Sequence, residues 1–585
     1  MSAPPFANLF AAGHPDASVL DSLAVELERG GDFSEVWRPA SGWVVASAPL
    51  PRGEVDGASV RAHQLAFAEG REATVNGAGD NRDSLFGNIA TLTQTSPERL
   101  AVLPGDFGFI HFRPAGAATV VRSCAGLAPF YLCFSGALTV IGTSLNYFVR
   151  YLDVEPKIDP LVTAIWSAGW GIFPDRRTFL QNVSLVPRGH FARIERGKAA
   201  TMSRYWNPRP KQLTNPTPAR RREHAERLRD ILVTKLAHDL DPEGGNLLTL
   251  SGGIDSSALG ALAAGVVGRK VWTWSYLPEP EALYQEAMAY ITPLANRFGF
   301  ERSWTVRYND RTRIGLSAVA PSVVFPVIHP ALCALPGLQS EADVRVVFGG
   351  EFADDICGSI YRIADLLAHT SFFQLVQGLG EPPFGPRLLL SWTKHRCLSW
   401  IGRSKPRLPF LDELPELFCS ELRAEYLAWL ERRRTEAAAD AGPCRSLALR
   451  LEMDGWVDMN WAVTTALGIR RSIPFFNREI VELAFECHPV ELMGPGPKML
   501  LRNALHHDVP AKNLCRPDKG NWGGNSGNHL VAWETCLPAN LQPLIRPDWF
   551  PTTPGQIKRM DADMLSRLLN FLISLSTWRS RRGAG

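Results

Sequence analysis

Between residues 221 and 299 the sequence switches repeatedly between helical and strand periods. RREHAERLRDILVTKLAHDL (221–240) is amphipathic with a helical repeat. NLLTLSG (246–252) then reads as a short buried strand, SSALGALAAGVV (256–267) as a helix, KVWTWSY (270–276) as a strand and EALYQEAMAYITPLANRFG (281–299) as a helix. Strands that alternate with helices build a parallel, doubly wound sheet, because each helix carries the chain back before the next strand runs in the same direction.

The first 206 residues obey a different rule. Short β-type runs, GWVVASAP, FGFIHF, ATVVRS, LTVIGTS and HFARIER, are punctuated by Gly, Pro and Asn, which predicts an antiparallel sheet layer. Residues 207–220, NPRPKQLTNPTPAR, hold four prolines and almost nothing apolar, and read as a linker. Beyond about residue 360 the pattern is mostly helical, with a Trp-rich, Pro-interrupted tail; RRRTEAAADAG (432–442) reads as an exposed helix end or loop. The fold class is therefore α/β with α+β, with domains expected at 1–206 and 221–585.

Bulk properties narrow the function classes. A chain of 585 residues is expected to hold two or three domains. A net charge of +3 gives no electrostatic footprint for nucleic acid or an acidic membrane. The ten cysteines include no CxxC pair and read as reduced, packed thiols. The N-terminus lacks the pattern of a signal peptide, and no apolar run is long enough for a membrane span, so a cytoplasmic protein is expected. Most of the seventeen tryptophans are expected in the core.

The turn SGGIDSS (251–257) ends the first strand of the alternation. A strand, a small-residue turn and a helix start together present free N–H groups to an anion. Gly252 and Gly253 permit close backbone approach, and Ser251, Ser256 and Ser257 offer hydroxyl hydrogens. Asp255 would repel a phosphate unless Mg²⁺ lies between them, since Mg²⁺ takes oxygens from carboxylate and phosphate together. No lysine follows the glycines, so this is not the GxxxxGK[ST] loop. A plain helix start capped by Ser and Asp is the competing reading; the full string directly after a strand favours the anion site.

SGGIDSS resembles the pyrophosphate loop of the ATP pyrophosphatases, and further segments, in order, resemble the asparagine synthetase superfamily. RSCAGLAPFY (122–131), IGTSLNYF (141–148), FLQNVSLVPRGH (179–190) and RYWNP (204–208) resemble the end of its glutaminase-type domain. VNGAGD (75–80) and LPGDFGF (103–109) sit where that family has an Asn-Gly turn and a glycine–aromatic strand. VVFGGEFADD (346–355) resembles its second acidic motif, Gly-Glu-Gly-Ser-Asp-Glu; RRSIPFFN (470–477) its Arg-x-Pro-Phe segment; and KMLLRNAL with VPAKNLCRPDKGNW (498–522) its closing Lys/Arg segment.

The resemblance implies a degenerate class II glutamine amidotransferase-like layer, an antiparallel β-sandwich, ahead of an ATP pyrophosphatase domain with added helices. It implies ATP and Mg²⁺, with Asp255 and Asp354 as metal ligands and a lesser claim for Asp355. Ser251, Gly252, Gly253, Ser256 and Ser257 would hold pyrophosphate, and the strand VWTWS (271–275), ending at Ser275, would frame the adenine. Glu351 is the candidate base for the attacking amine, and Lys519 the candidate stabiliser of developing negative charge; Lys498 and Arg502, one helical turn apart, are weaker candidates.

Two departures matter. Glutamine-hydrolysing members use a cysteine at position 2, where this chain has Ser2, and its first cysteine is Cys124. A serine without an adjacent base is a poor nucleophile, so ammonia from glutamine is not expected. Arg470 and Arg471 precede Pro474-Phe475-Phe476, and Asn477 replaces the family's final Asp, which argues against a pocket for free aspartate. Members with a silent glutaminase layer use an amine within the substrate, and the resemblance is strongest to lasso peptide cyclases. These adenylate an Asp or Glu side chain of a precursor peptide and close a macrolactam with its N-terminal amine. Expected partners are the precursor peptide and a companion leader peptidase. Trp392, Trp400, Trp456, Trp461 and Trp522 are candidates to line a peptide-sized cavity. A β-lactam-type or ammonia-dependent synthetase, and a silent scaffold, remain the alternatives.

Overall fold

A computed structural model of the chain describes residues 8–30, 35–37, 42–48, 64–69, 91–103, 106–113, 117–126, 128–152, 159–162, 165, 175–195, 198–208, 217–278, 280–308, 330–357, 393–394, 397, 420–440, 464, 467–492 and 498–516. Within these, the N-terminal strands are β1 (Asn8–Gly13), β2 (Glu35–Trp37), β3 (Trp43–Ala48), β4 (Gln64–Glu69), β5 (Asp106–Arg113), β6 (Ala117–Arg122), β7 (Tyr131–Ser135), β8 (Leu138–Gly142), β9 (Val183–Leu185), β10 (His190–Ile194) and β11 (Thr201–Arg204). They form two antiparallel sheets, β2-β3-β1-β8-β7-β9 and β11-β10-β6-β5-β4.

The β-type runs read from the sequence all fall on these strands, and their apolar residues meet across the sheets. Trp43 on β3 lies 5.1 Å from Phe112 on β5, ring centre to ring centre, and Val45 and Ile141 of one sheet share a buried cluster with Phe109, Val121 and Phe191 of the other. An aromatic side chain that buries roughly 150–250 Å² gains about 4–6 kcal/mol against exposure, so this seam is a major attachment between the sheets. VNGAGD and Ser2 lie outside the described residues.

The third sheet is parallel. Its strands are β12 (Asn246–Thr249), β13 (Val271–Pro278), β14 (Arg302–Tyr308), β15 (Val346–Phe348) and β16 (Arg470–Ser472), in the order β14-β13-β12-β15-β16. The chain winds outward from β12 to β14 and then returns to the other side of β12 for β15. In a doubly wound sheet that reversal opens a crevice at the carboxyl ends of the two central strands, here β12 and β15. The continuous apolar run of β12 follows from burial on both faces. Leu248 joins Leu228, Leu232 and Leu236 of the Pro218–Asp239 helix, while Leu247 packs with Leu335 and Leu338 of the Pro330–Glu341 helix on the opposite face.

The Pro218–Asp239 helix starts three residues earlier than the periodicity indicates, inside the expected linker. Thr217 Oγ1 accepts a hydrogen bond from the Arg220 N–H at 3.3 Å, and Pro218 occupies the first turn, where its missing N–H has no cost. At the other end Asp239 is buried and accepts from Ser472 Oγ on β16, with Lys235 Nζ 2.9 Å away. Burial alone would raise the Asp239 carboxyl, but Lys235, His238 and Ser472 together hold it down at about 2. A depressed carboxyl contributes stability that is present above its ordinary value of 3.8 and is lost as pH falls through about 2. Urea unfolding from about pH 5 to about pH 2 should therefore cost the wild type about 2 kcal/mol more than Asp239→Asn. Equal slopes would show that the strut is not ionic.

Candidate active site

β12 delivers the chain to the crevice. The Leu250 N–H donates to the Trp274 carbonyl of β13 at 2.8 Å, extending the pairing one residue beyond the strand. Gly252 then turns with φ +70°, and a Cβ there would lie 2.9 Å from Tyr290 Cβ, so only glycine fits. The helix Ile254–Gly260 begins at once and runs on into a π-helical turn, Ala261–Val266. Inside the loop the serines brace the backbone. Ser256 Oγ donates to the Gly253 carbonyl at 3.3 Å and accepts from the Ser251 N–H at 3.2 Å, while the Gly253 N–H donates to Ser251 Oγ at 3.3 Å. Ser256 and Ser257 are buried, and so is Ser275 on β13, next to the residue that receives Leu250.

β15 places the second motif against the first. A Cβ on Gly350 would stand 2.6 Å from Asp255 Cβ, so this glycine is required by close approach. Phe352 follows with φ +66°, a conformation costing a non-glycine residue about 1–2 kcal/mol. The motif it resembles has glycine there. The ring is buried and stacks on Phe476 at 4.3 Å, and Phe476 in turn lies under the Arg188 guanidinium at 5.2 Å. Phe352→Ala would lose the ring and keep the strain, whereas Phe352→Gly loses the ring and relieves the strain. The glycine variant should be the more stable of the two by about 1 kcal/mol in urea unfolding; an alanine variant as stable as the glycine one would contradict the left-handed geometry.

The charged groups then converge. Lys498, buried and itself at φ +60°, directs its ammonium between two carboxylates, donating to Asp255 Oδ2 and standing 2.8 Å from Asp354 Oδ1. Burial alone would lower the Lys498 ammonium; Asp255 and Asp354 outweigh it and shift it upward. Glu351 pairs through Oε1 with Arg471 of β16, which is 3% exposed, and its Oε2 makes no hydrogen bond among the described residues. Asn477 caps the Arg478–Glu486 helix, its Oδ1 accepting from the Glu479 N–H at 2.8 Å, a task Asn performs as well as Asp.

The asparagine synthase family profile matches residues 227–537, over half of the chain and all of the parallel sheet. The chain belongs to the asparagine synthase family. No curated protein matches the chain. Among solved structures, glutamine phosphoribosylpyrophosphate amidotransferase from B. subtilis, complexed with ADP and GMP, aligns at 10% identity and a TM-score of 0.14. The alignment covers 52% of this chain and 46% of that one, and at that score it carries no weight for the fold.

In this asparagine synthase family member, Asp255 and Asp354 bracket a single positive charge, which is the donor set a hard divalent cation takes. The donor set would suit Mg²⁺, which Asp255 and Asp354 would hold. Lys498 and Arg502 share a helical turn but face different partners. Arg502 donates to the carbonyls of Leu514 and Arg516, the latter at 2.7 Å, and so holds the segment that follows. Lys519 and the five cavity tryptophans lie outside the described residues. Asn513 is buried against the SGGIDSS loop, a placement no local pattern announces.

Proposed function

We propose that this family member is a lasso peptide macrolactam synthetase. An Asp or Glu side chain of a precursor peptide attacks the α-phosphorus of ATP, and pyrophosphate leaves. The peptide's own N-terminal amine then displaces AMP and closes the ring. The observation that carries the adenylation half is the convergence of Asp255, Asp354 and Lys498 beside the SGGIDSS loop. Positioning and charge neutralisation are most of what such a step asks of a protein. When bound, Mg²⁺ supplies charge neutralisation at the phosphate oxygens. Ser251, Gly252, Gly253, Ser256 and Ser257 would hold the pyrophosphate, and the stretch of β13 up to Ser275 would frame the adenine.

The peptide reading is supported by two features. Position 2 is serine, a poor nucleophile without an adjacent base, which favours an amine source other than glutamine. Arg471, ahead of Pro474-Phe475-Phe476, is engaged by Glu351 and is not presented to a free amino-acid carboxylate. Glu351, paired with that guanidinium through Oε1, offers Oε2 to take the proton of the attacking ammonium. Glu351→Gln should then form the adenylate, trapped as a hydroxamate by hydroxylamine, but close the ring slowly; absence of the adenylate would move Glu351 to the first half-reaction.

The deciding experiment supplies the enzyme with ATP, Mg²⁺ and a leader-free precursor peptide, as a companion leader peptidase would release it. The expected product is lighter by one water, forms with release of one AMP and one pyrophosphate, and resists carboxypeptidase. Free aspartate with ammonia should not turn over. Asparagine, or a β-lactam from a small β-amino acid, would replace this reading with a small-molecule synthetase.

A further inference from the structure

Asn513 lies in the short Ala511–Leu514 helix and is fully buried. Its amide nitrogen faces three acceptors: the Tyr290 carbonyl at 2.9 Å, Ser257 Oγ at 3.2 Å and the Gly252 carbonyl at 3.3 Å. A carboxamide has two hydrogens, so three oxygens compete for them, and only a donor fits at that point. The reversed amide would set oxygen against oxygen. Its own Oδ1 takes no hydrogen bond among the described residues, a cost that a buried amide bears for some function.

The acceptors explain what that function is. Gly252 and Ser257 lie on either side of the turn that holds Asp255, and Tyr290 belongs to the neighbouring Glu281–Phe298 helix. One side chain therefore fastens both sides of the loop to the scaffold. It also draws the Gly252 carbonyl into the protein, away from any anion that carbonyl would repel. At Ser257 the hydroxyl oxygen accepts, so its hydrogen is directed elsewhere. The same turn reaches Arg516, whose guanidinium lies 4.1 Å over the Tyr290 ring and whose carbonyl Arg502 holds.

We infer that Asn513 is the positioning residue of the pyrophosphate loop, coupling the order of segment 511–516 to the loop's affinity for a diphosphate. This rests on reading SGGIDSS as a pyrophosphate site. The test compares the full-length wild type with Asn513→Asp, which keeps the shape and removes the donors. Asn513→Ala, which has no side-chain donor, serves the same purpose if the added charge prevents folding. Two quantities are measured: amide hydrogen exchange of residues 251–257 without ligand, and calorimetric affinity for inorganic pyrophosphate with Mg²⁺. The expected result is faster loop exchange, unchanged exchange in β12 and β15, and affinity lower by roughly ten- to thirtyfold, the loss of one or two hydrogen bonds. Asn513→Ala and Ser257→Ala combined should weaken binding by less than the product of their separate effects. A residue that only stabilises its own helix would lower the melting temperature and leave pyrophosphate affinity alone, and that result overturns the inference. If the wild type itself does not bind pyrophosphate, the reading of the loop falls, and loop exchange still judges Asn513: wild-type exchange in the Asp variant overturns its positioning role, and faster exchange upholds it.

Discussion

Asp255→Ala should reduce ATP-dependent pyrophosphate release by at least roughly a thousandfold, the scale of losing a charge-organising group in a preorganised site. The fold should survive, because Lys498 keeps Asp354 as a partner at 2.8 Å. Near-normal turnover with an unchanged melting curve would remove Asp255 from the chemistry altogether.

Lys498→Ala is expected to damage both stability and activity. It leaves Asp255 and Asp354, 19% and 28% exposed, facing each other with their shared cation gone. Breaking a buried pair costs about 3–5 kcal/mol, and the partial exposure of the carboxylates brings the expected loss to about 2–3 kcal/mol. Because a divalent cation can replace the ammonium, Mg²⁺ or Mn²⁺ should raise the melting temperature of the variant more than that of the wild type. The raised Lys498 ammonium contributes stability that is fully present below its ordinary 10.5 and is lost only as pH rises through its higher folded value. A variant as stable as the wild type, and indifferent to metal, would show that the three charges do not meet.

What the sequence disclosed depended on the range of the interaction. The run NLLTL followed by SGGIDSS announced a buried strand and its turn, because period and turn chemistry are local. Strand order was not legible, since β15 joins β12 across 100 residues of sequence with no local sign of the pairing. Lys498 stood out only weakly, because its partner Asp255 is 243 residues away. Asn513 gave no signal at all: an asparagine after Pro510 is ordinary until Tyr290 and Gly252 are seen around it. At Phe352 the resemblance pointed to glycine, and the structure keeps glycine's backbone while filling the space with a ring stacked on Phe476. The start of the Pro218–Asp239 helix was obscured by the prolines that made its first turn resemble a linker.

The contact of Arg188 with Phe476 gives the β-rich half a mechanical part in the acidic motif. Arg188 comes from the β-rich half, Phe476 from the ligase half, and Phe352, on which Phe476 stacks, lies between Glu351 and Asp354 in sequence. The Trp206 indole adds a second tie, donating to Glu482 at 3.1 Å. A gene shortened to the ligase half would lose the wall behind its own acidic motif. The β-rich half thus acts as a buttress, bearing through Phe476 on the backbone turn that presents Glu351 and Asp354.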